Sequence, residues 1–169
     1  MTNSETHTWT AARLWKQMPE EQRQQAAEAF WREDEGVEQQ VEAMALIARQ
    51  IKARPKFVQG LPLERRTRYL VGYPHMPEAL AARLLVSYHL AHQRPMLAAF
   101  LDALGIAHED GVISADPDGP IAGDRLAAAA DALDASFAPP DVTLYLRTLL
   151  SQDPETWAAA ANLPQATRA

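Results

Sequence analysis

The sequence predicts an all-α fold, a single irregular bundle of seven or eight helices over residues 1–169 with helix pairs joined at proline-containing turns. Three observations support this prediction. Apolar residues recur every three or four positions through most of the chain, which is the period of one helix face. Proline stands repeatedly where a first helical turn would begin, and there its missing N–H costs little. The alternating pattern of a half-buried strand is nearly absent.

Prolines divide the N-terminal half of the chain. Pro19 is followed by Glu20 and Glu21, and acids in a first helical turn are stabilised by the positive end of the helix dipole. Residues 54–62 carry two prolines and a glycine and are expected to form a loop. A short helical segment is predicted over residues 9–17. The helices predicted after it in this half span residues 19–34, 36–53, 62–73 and 77–93.

Helical spacing also indicates which residues of these helices are buried. The helix over 77–93 is apolar around most of its circumference, so it and the helix over 95–104 are expected at the centre of the bundle. The apolar side of the helix over 19–34 consists of Ala26, Ala27, Phe30 and Trp31. The predicted apolar stripe of the helix over 36–53, with spacings of 4, 3, 4 and 3, consists of Val37, Val41, Met44, Ala48 and Ile51.

The C-terminal half contains the longest predicted non-helical stretch, residues 106–120. Turn sequences occupy it, and a small β-ribbon around Val112 and Ile113 is the most strand structure expected. The ends of the chain, residues 1–7 and 165–169, are expected to be frayed. The helices predicted in this half are 95–104 with Gly105 as its cap, 122–137, one opened by Pro139 with a stripe from Val142 to Leu150, and 153–162 stopped by Pro164.

The composition, 47% hydrophobic and 22% charged residues, is that of a folded protein. The absence of cysteine excludes disulfides, thiolate metal sites and cysteine nucleophiles. No apolar stretch is long enough for a signal peptide or a membrane span, so a cytoplasmic protein without membrane contact is expected. Motifs such as GxSxG, the P-loop, GxGxxG and HExxH are also absent, which gives no support to an enzyme.

The charge distribution is the most informative feature for function. Residues 49–68 hold seven of the chain's 16 Lys and Arg against one acid, Glu64, whereas the whole protein has a formal charge of −6. Charge asymmetry of this kind concerns partners rather than fold. The candidate anion- or partner-binding residues, called the basic segment below, are Arg49, Lys52, Arg54, Lys56, Arg65, Arg66 and Arg68.

Three interpretations of the basic segment are open. Its cations could pair with the acidic flanks, within the chain or across a symmetric dimer. They could bind a protein or a small anion. They could also contact a phosphate backbone while Phe57 and Tyr69 stack on bases. The net charge of −6 opposes nucleic-acid binding, and Arg65, Arg66 and Arg68 cannot all point the same way from one helix.

Histidines provide a weaker candidate site. His89 and His92 are three residues apart on one predicted helix, and His75 lies in the preceding turn, so three imidazoles could approach a metal ion. Zinc enzymes of the HExxH type use a spacing of four with an intervening Glu, which this chain lacks. The predicted positions, with His92 near the middle of the apolar face, favour core or helix-end histidines.

The acidic loop is the last candidate. It contains His108, Glu109, Asp110, Asp116 and Asp118, and the carboxylates of this group resemble a set of oxygen ligands for Ca²⁺ or Mg²⁺. Alignment of DPDG with an EF-hand loop places Arg125 where the bidentate glutamate belongs, so the motif fails and a solvated turn is predicted.

We therefore expect a non-catalytic helical module that binds another protein or itself through the basic segment and nearby apolar surface. One alternative is a nucleic-acid or anionic-ligand binder that uses the same cations. The other is a metal-assisted enzyme that uses His75, His89 and His92. No cofactor and no metal site are predicted.

Overall fold

The computed structural model describes residues 8–34 and 37–169, and this part of the chain is all-α. The predicted fold class is confirmed. The described residues form ten α-helices rather than seven or eight, because short helices of four and five residues add to the long ones. The helices are α1 Ala11–Gln17, α2 Glu20–Arg32, α3 Val37–Ile51, α4 Pro55–Gln59, α5 Leu63–Val71, α6 Glu78–His92, α7 Arg94–Leu104, α8 Gly123–Ser136, α9 Pro139–Gln152 and α10 Pro164–Thr167.

The chain divides into two compact units. Among the described residues, unit 1 comprises 8–14 and 94–169, and unit 2 comprises 15–93. The division falls inside α1 and at the joint between α6 and α7. Helices α6 and α7 belong to different units, and each contributes fully buried residues to its own.

Unit 2 is built around α2 and α6. Helix α2 packs against α6 and α5, and α3 packs against α4, α5 and α6. The predicted apolar side of α2 is buried as expected. Burial of large side chains is the main favourable term for such a unit. Fully buried residues of this unit include Phe30, Ile47, Leu70, Leu80, Leu84 and Leu85.

The buried face of α3 differs from the predicted stripe. Ala48 is buried, but Val41 is 53% exposed, and Ala43 and Ile47 are buried instead. Val41 and Ile47 lie about 120° apart around the helix, so the face that packs against the neighbouring helices is turned away from the predicted stripe. Met44 and Ile51 are half-buried, and the side chain of Val37 lies outside the described residues. One edge of the stripe is therefore left at the surface.

Unit 1 has its core between α7, α8 and α9. The ring of Phe100 lies 5.4 Å from that of Tyr145 and 5.9 Å from that of Trp157, measured between centroids. The predicted stripe on α9 is buried. Gly105 ends α7 with φ of +67°, where its N–H and that of Ile106 donate to carbonyls of the last turn. This is the Schellman cap that glycine favours.

A two-stranded antiparallel ribbon follows α7, in the stretch where the sequence allowed a small ribbon at most. Strands β1, His108–Glu109, and β2, Val112–Ile113, pair with His108 opposite Ile113. Asp110 and Gly111 form the turn, both with positive φ. The ribbon contacts α7.

Two local predictions are corrected by the structure. The expected loop over 54–62 contains α4, because Pro55 opens a helical turn that Gly60 ends. The helix expected over 153–162 is a turn followed by a 3-10 helix, Ala158–Asn162, because Asp153 accepts bonds from the N–H and hydroxyl of Thr156. The 3-10 helix ends before Pro164, as predicted for the helical segment there, and Pro164 then starts α10.

The C-terminal residues are packed where a frayed end was expected. Gln165 and Ala166 are buried. The guanidinium of Arg168 donates to both carboxylate oxygens of Asp134, to the hydroxyl of Thr143 and to a backbone carbonyl. The other end expected to fray, residues 1–7, lies outside the described residues.

Candidate functional site

The basic segment extends over three helices of unit 2. Arg49 lies in the last turn of α3, and Lys52 and Arg54 follow that helix. Lys56 lies in α4, and the remaining three cations lie in α5. Because α3 packs against both α4 and α5, all seven cations sit on adjacent elements of one unit.

Lys52 has an unusual backbone conformation. Its φ is +57°, and its N–H donates to the carbonyl of Arg49 while the N–H of Ala53 donates to that of Ala48. These bonds form a Schellman cap on α3 with lysine in the position that usually holds glycine. A side chain at positive φ costs on the order of 1 kcal/mol. A cation at the negative end of a helix recovers part of this cost.

Most cations of the basic segment have no acidic partner among the described residues. Six of the seven make no ion pair with any carboxylate there, and five of these six are exposed. One interpretation of the basic segment was that its cations pair with acidic residues of the same chain. The contacts of the described residues do not support this interpretation for the five exposed cations. The five are Arg49, Lys52, Arg54, Lys56 and Arg65.

The other two cations of the segment have contacts. Arg68 pairs with Glu64 at 3.1 Å, but both side chains are more than 70% exposed, so the pair contributes little. Arg66 is half-buried, with its guanidinium carbon 5.1 Å from the centroid of the Trp31 ring. Arg65 and Arg68 lie about 60° apart on the side of α5 away from buried Leu70. The structure thus brings these two together at the surface and directs Arg66 towards α2.

Exposed apolar side chains accompany the cations. Phe57 is 55% exposed on α4, directly after Lys56, and Val41 is 53% exposed on α3. Tyr69 is half-buried on α5. The sequence indicated that Phe57 lies among charges, but the exposure of Val41 depends on how α3 is rotated in the unit. The surface therefore combines cations with apolar area.

The three histidines do not form a metal site. His89 is buried in unit 2, and desolvation lowers its pKa to about 3. His92 is exposed rather than central to the apolar face, with its ring 5.5 Å from that of Tyr88, and His75 is exposed in the turn before α6. No group of three metal-ligating side chains occurs within residues 8–34 and 37–169.

Several polar groups of the acidic loop lie in the ribbon or contact α7. The N–H of Gly111 donates to Nδ1 of His108, so the proton of this imidazole is on Nε2 and is directed at Asp102, 2.6 Å away. Arg94 donates to the carbonyl of Asp110. Asp116 and Asp118 are exposed beside a shallow cleft of about 390 Å³. These contacts attach the ribbon to α7.

A second group of cations, in unit 1, was not indicated by the sequence. The guanidinium carbons of Arg13 and Arg147 lie 4.5 and 4.2 Å from the ring centroid of Trp9. These residues are far apart along the chain, so neither charge counting nor helical spacing could have revealed the group.

Comparison with models of known protein families, with curated proteins and with solved structures finds no match to this chain. Within the described residues, no helix combines the length and the apolar character that crossing a bilayer requires.

Proposed function

We propose that this protein is a non-catalytic interaction module that binds an acidic segment of another protein through the basic segment and Phe57. The observation that carries the proposal is a 55% exposed phenylalanine among cations that lack acidic partners in the described chain. Burial of the exposed part of a phenylalanine in an interface contributes about 1–2 kcal/mol. The cations around Phe57 orient the bound segment and favour an acidic partner over others.

The charge of the two units supports a protein partner. Residues 15–93 hold 11 Lys and Arg against 10 Asp and Glu, a balance of +1. Residues 1–14 and 94–169 hold 5 against 12, a balance of −7. A nucleic-acid backbone is a long polyanion and meets the net charge of −6 of the whole protein, whereas a short acidic segment needs only a local basic surface.

The test is site-specific photo-crosslinking. A benzophenone amino acid is placed at position 57 in cells of the source organism, and adduct peptides are sequenced. The matched control carries the same group at Val112, which is 45% exposed in unit 1. We expect adducts at position 57 only, to peptides of another protein that are rich in Asp and Glu around an apolar residue.

Charge variants complete this experiment. A double variant, Arg54→Gln with Lys56→Gln, should lower the yield of the position-57 adduct about fivefold. The reason is that two charge contacts between this surface and the acidic partner are lost. Adducts to nucleic acid would favour the polyanion alternative, and adducts to a second copy would assign the surface to self-association. Equal labelling from positions 57 and 112, or a yield unaffected by the charge variants, would contradict the proposal.

A further inference from the structure

Two arginines of unit 1 share one tryptophan. Arg13 comes from α1 and Arg147 from the middle of α9, and both guanidinium carbons lie within 4.5 Å of the Trp9 ring centroid. The backbone N–H of Arg13 donates to the hydroxyl of Thr10 at 3.1 Å, which fixes the first turn of α1. Both guanidiniums therefore contact the same ring, although they belong to elements distant in sequence.

Neither Arg13 nor Arg147 forms an ion pair with an acid of the described residues. Unit 1 contains five arginines, and two of them form ion pairs, Arg94 with Asp110 and Arg168 with Asp134. Arg13 and Arg147 form none with the described residues, although unit 1 has more than twice as many acids as arginines. Burial lowers the pKa of Arg147, and the positive charges of Arg13 and Arg168 lower it further. Like charges thus repel each other at this position.

The two guanidinium groups keep hydrogen-bond donors for a ligand. Arg147 uses Nε and one terminal nitrogen on the carbonyls of Ala166 and Arg168, which leaves its other terminal nitrogen. Arg13 makes one long bond, 3.4 Å, from a terminal nitrogen to the carbonyl of Thr8. Within the described residues, the remaining N–H groups of both side chains have no acceptor. Cation–π contact with Trp9 compensates only part of the charge.

We propose that Arg13 and Arg147, held on Trp9, bind a phosphate group. A phosphate dianion carries about two negative charges, which matches two uncompensated guanidiniums better than a single carboxylate does. The negative balance of unit 1 does not prevent this, because exposed charges beyond about 8 Å are largely screened at physiological ionic strength. The ligand is inorganic phosphate or a small phosphate monoester. The residues of this site belong to unit 1, and those of the basic segment belong to unit 2.

The test is a titration of the full chain with inorganic phosphate, and in parallel with glycerol phosphate, at constant ionic strength set by chloride. Thermal unfolding and calorimetry report binding. We expect a saturable rise in the unfolding temperature that chloride does not produce. Tighter binding of the ester would identify a phosphorylated small molecule, and tighter binding of phosphate would identify the free anion.

Matched variants decide the assignment. Arg13→Gln should weaken phosphate binding at least tenfold, because one of two charge-assisted contacts is lost. Lys16→Gln removes an exposed cation from the same helix and should leave the affinity within twofold. Arg147→Lys tests the second arginine, and its folding is checked by circular dichroism because Arg147 also holds the C-terminal carbonyls. No saturable effect of phosphate in the unmodified protein, or an Arg13→Gln affinity equal to that of Lys16→Gln, would overturn the proposal.

Discussion

At the scale of single residues, Lys52 adopts the left-handed conformation that normally belongs to glycine. The position closes the C-terminus of α3, so any residue there must accept a positive φ. A lysine at this point keeps a cation in the basic segment at a cost in stability. Backbone strain of this kind is commonly retained where a side chain has a function.

Replacing Lys52 by glycine tests whether the lysine lowers stability and contributes to binding. We expect Lys52→Gly to raise the free energy of unfolding by about 0.5–1 kcal/mol, because the strain disappears, while the yield of crosslinking from position 57 falls. Lys56→Gly is the matched control, since Lys56 is helical and its replacement should destabilise by about 0.5–1 kcal/mol. Urea unfolding measures both. Destabilisation by Lys52→Gly would show that no strain is stored there.

His89 makes the stability of the protein depend on pH. Burial lowers the pKa of this histidine to about 3 in the folded state, from 6.5. The folded state therefore binds fewer protons at this site than the unfolded state, so stability is highest above pH 6.5 and falls as the pH decreases towards 3. From neutral pH to about pH 4.5 the loss through His89 is about 2–3 kcal/mol.

A leucine at position 89 should remove this dependence. Urea unfolding across the same pH range is expected to show a flatter stability profile for His89→Leu than for the unmodified protein, whatever the stabilities at neutral pH. His92→Gln, on the exposed side of the same helix, should keep the unmodified slope. The same slope in the His89→Leu and unmodified proteins would mean that His89 is charged when folded.

At the scale of elements, the ribbon after α7 depends on one glycine. Gly111 has φ of +89°, and a Cβ there would lie 2.9 Å from Cβ of Leu97 and 3.3 Å from the carbonyl oxygen of Arg94. The ribbon lies so close to α7 that no side chain fits. Both the conformation and the contact therefore exclude other residues.

We expect Gly111→Ala to destabilise the protein by about 1–3 kcal/mol, because positive φ and a backbone contact penalise the new methyl group together. Gly119→Ala in the same non-helical stretch should change stability by less than about 0.5 kcal/mol, since no atom lies within 4 Å of the added group. Thermal unfolding compares the two. Equal effects would mean that the ribbon moves away from α7 without cost.

The helices show where the spacing of apolar residues was sufficient to predict the buried face. The predicted buried residues of α2 and α9 are buried, because each of these helices presents its predicted apolar side to the neighbours of its own unit. In α3 the apolar stripe is wider than the contact that its neighbours offer, and the packing leaves Val41 outside. Periodicity locates a stripe, but the partner helices select which part of it is covered.

At the scale of the whole molecule, charge is divided between the two units. Unit 2 is nearly neutral overall but contains the basic segment. Unit 1 is acidic overall but contains two guanidiniums on Trp9 that form no ion pair with the described residues. Net charge describes long-range fields, whereas binding at an ionic strength like that of the cell depends on the charges within a Debye length. The two proposed sites are therefore compatible with a chain whose formal charge is −6.

The all-α class, the approximate ends of the long helices and the location of the basic segment follow from the sequence alone, because spacing, proline placement and charge counts are local properties of the chain. Only the tertiary structure decided the rotation of α3, the division into two units and the Trp9 group. It also decided that five exposed cations of the basic segment have no acidic partner among the described residues. Each depends on atoms distant in sequence, whose contacts are set by packing.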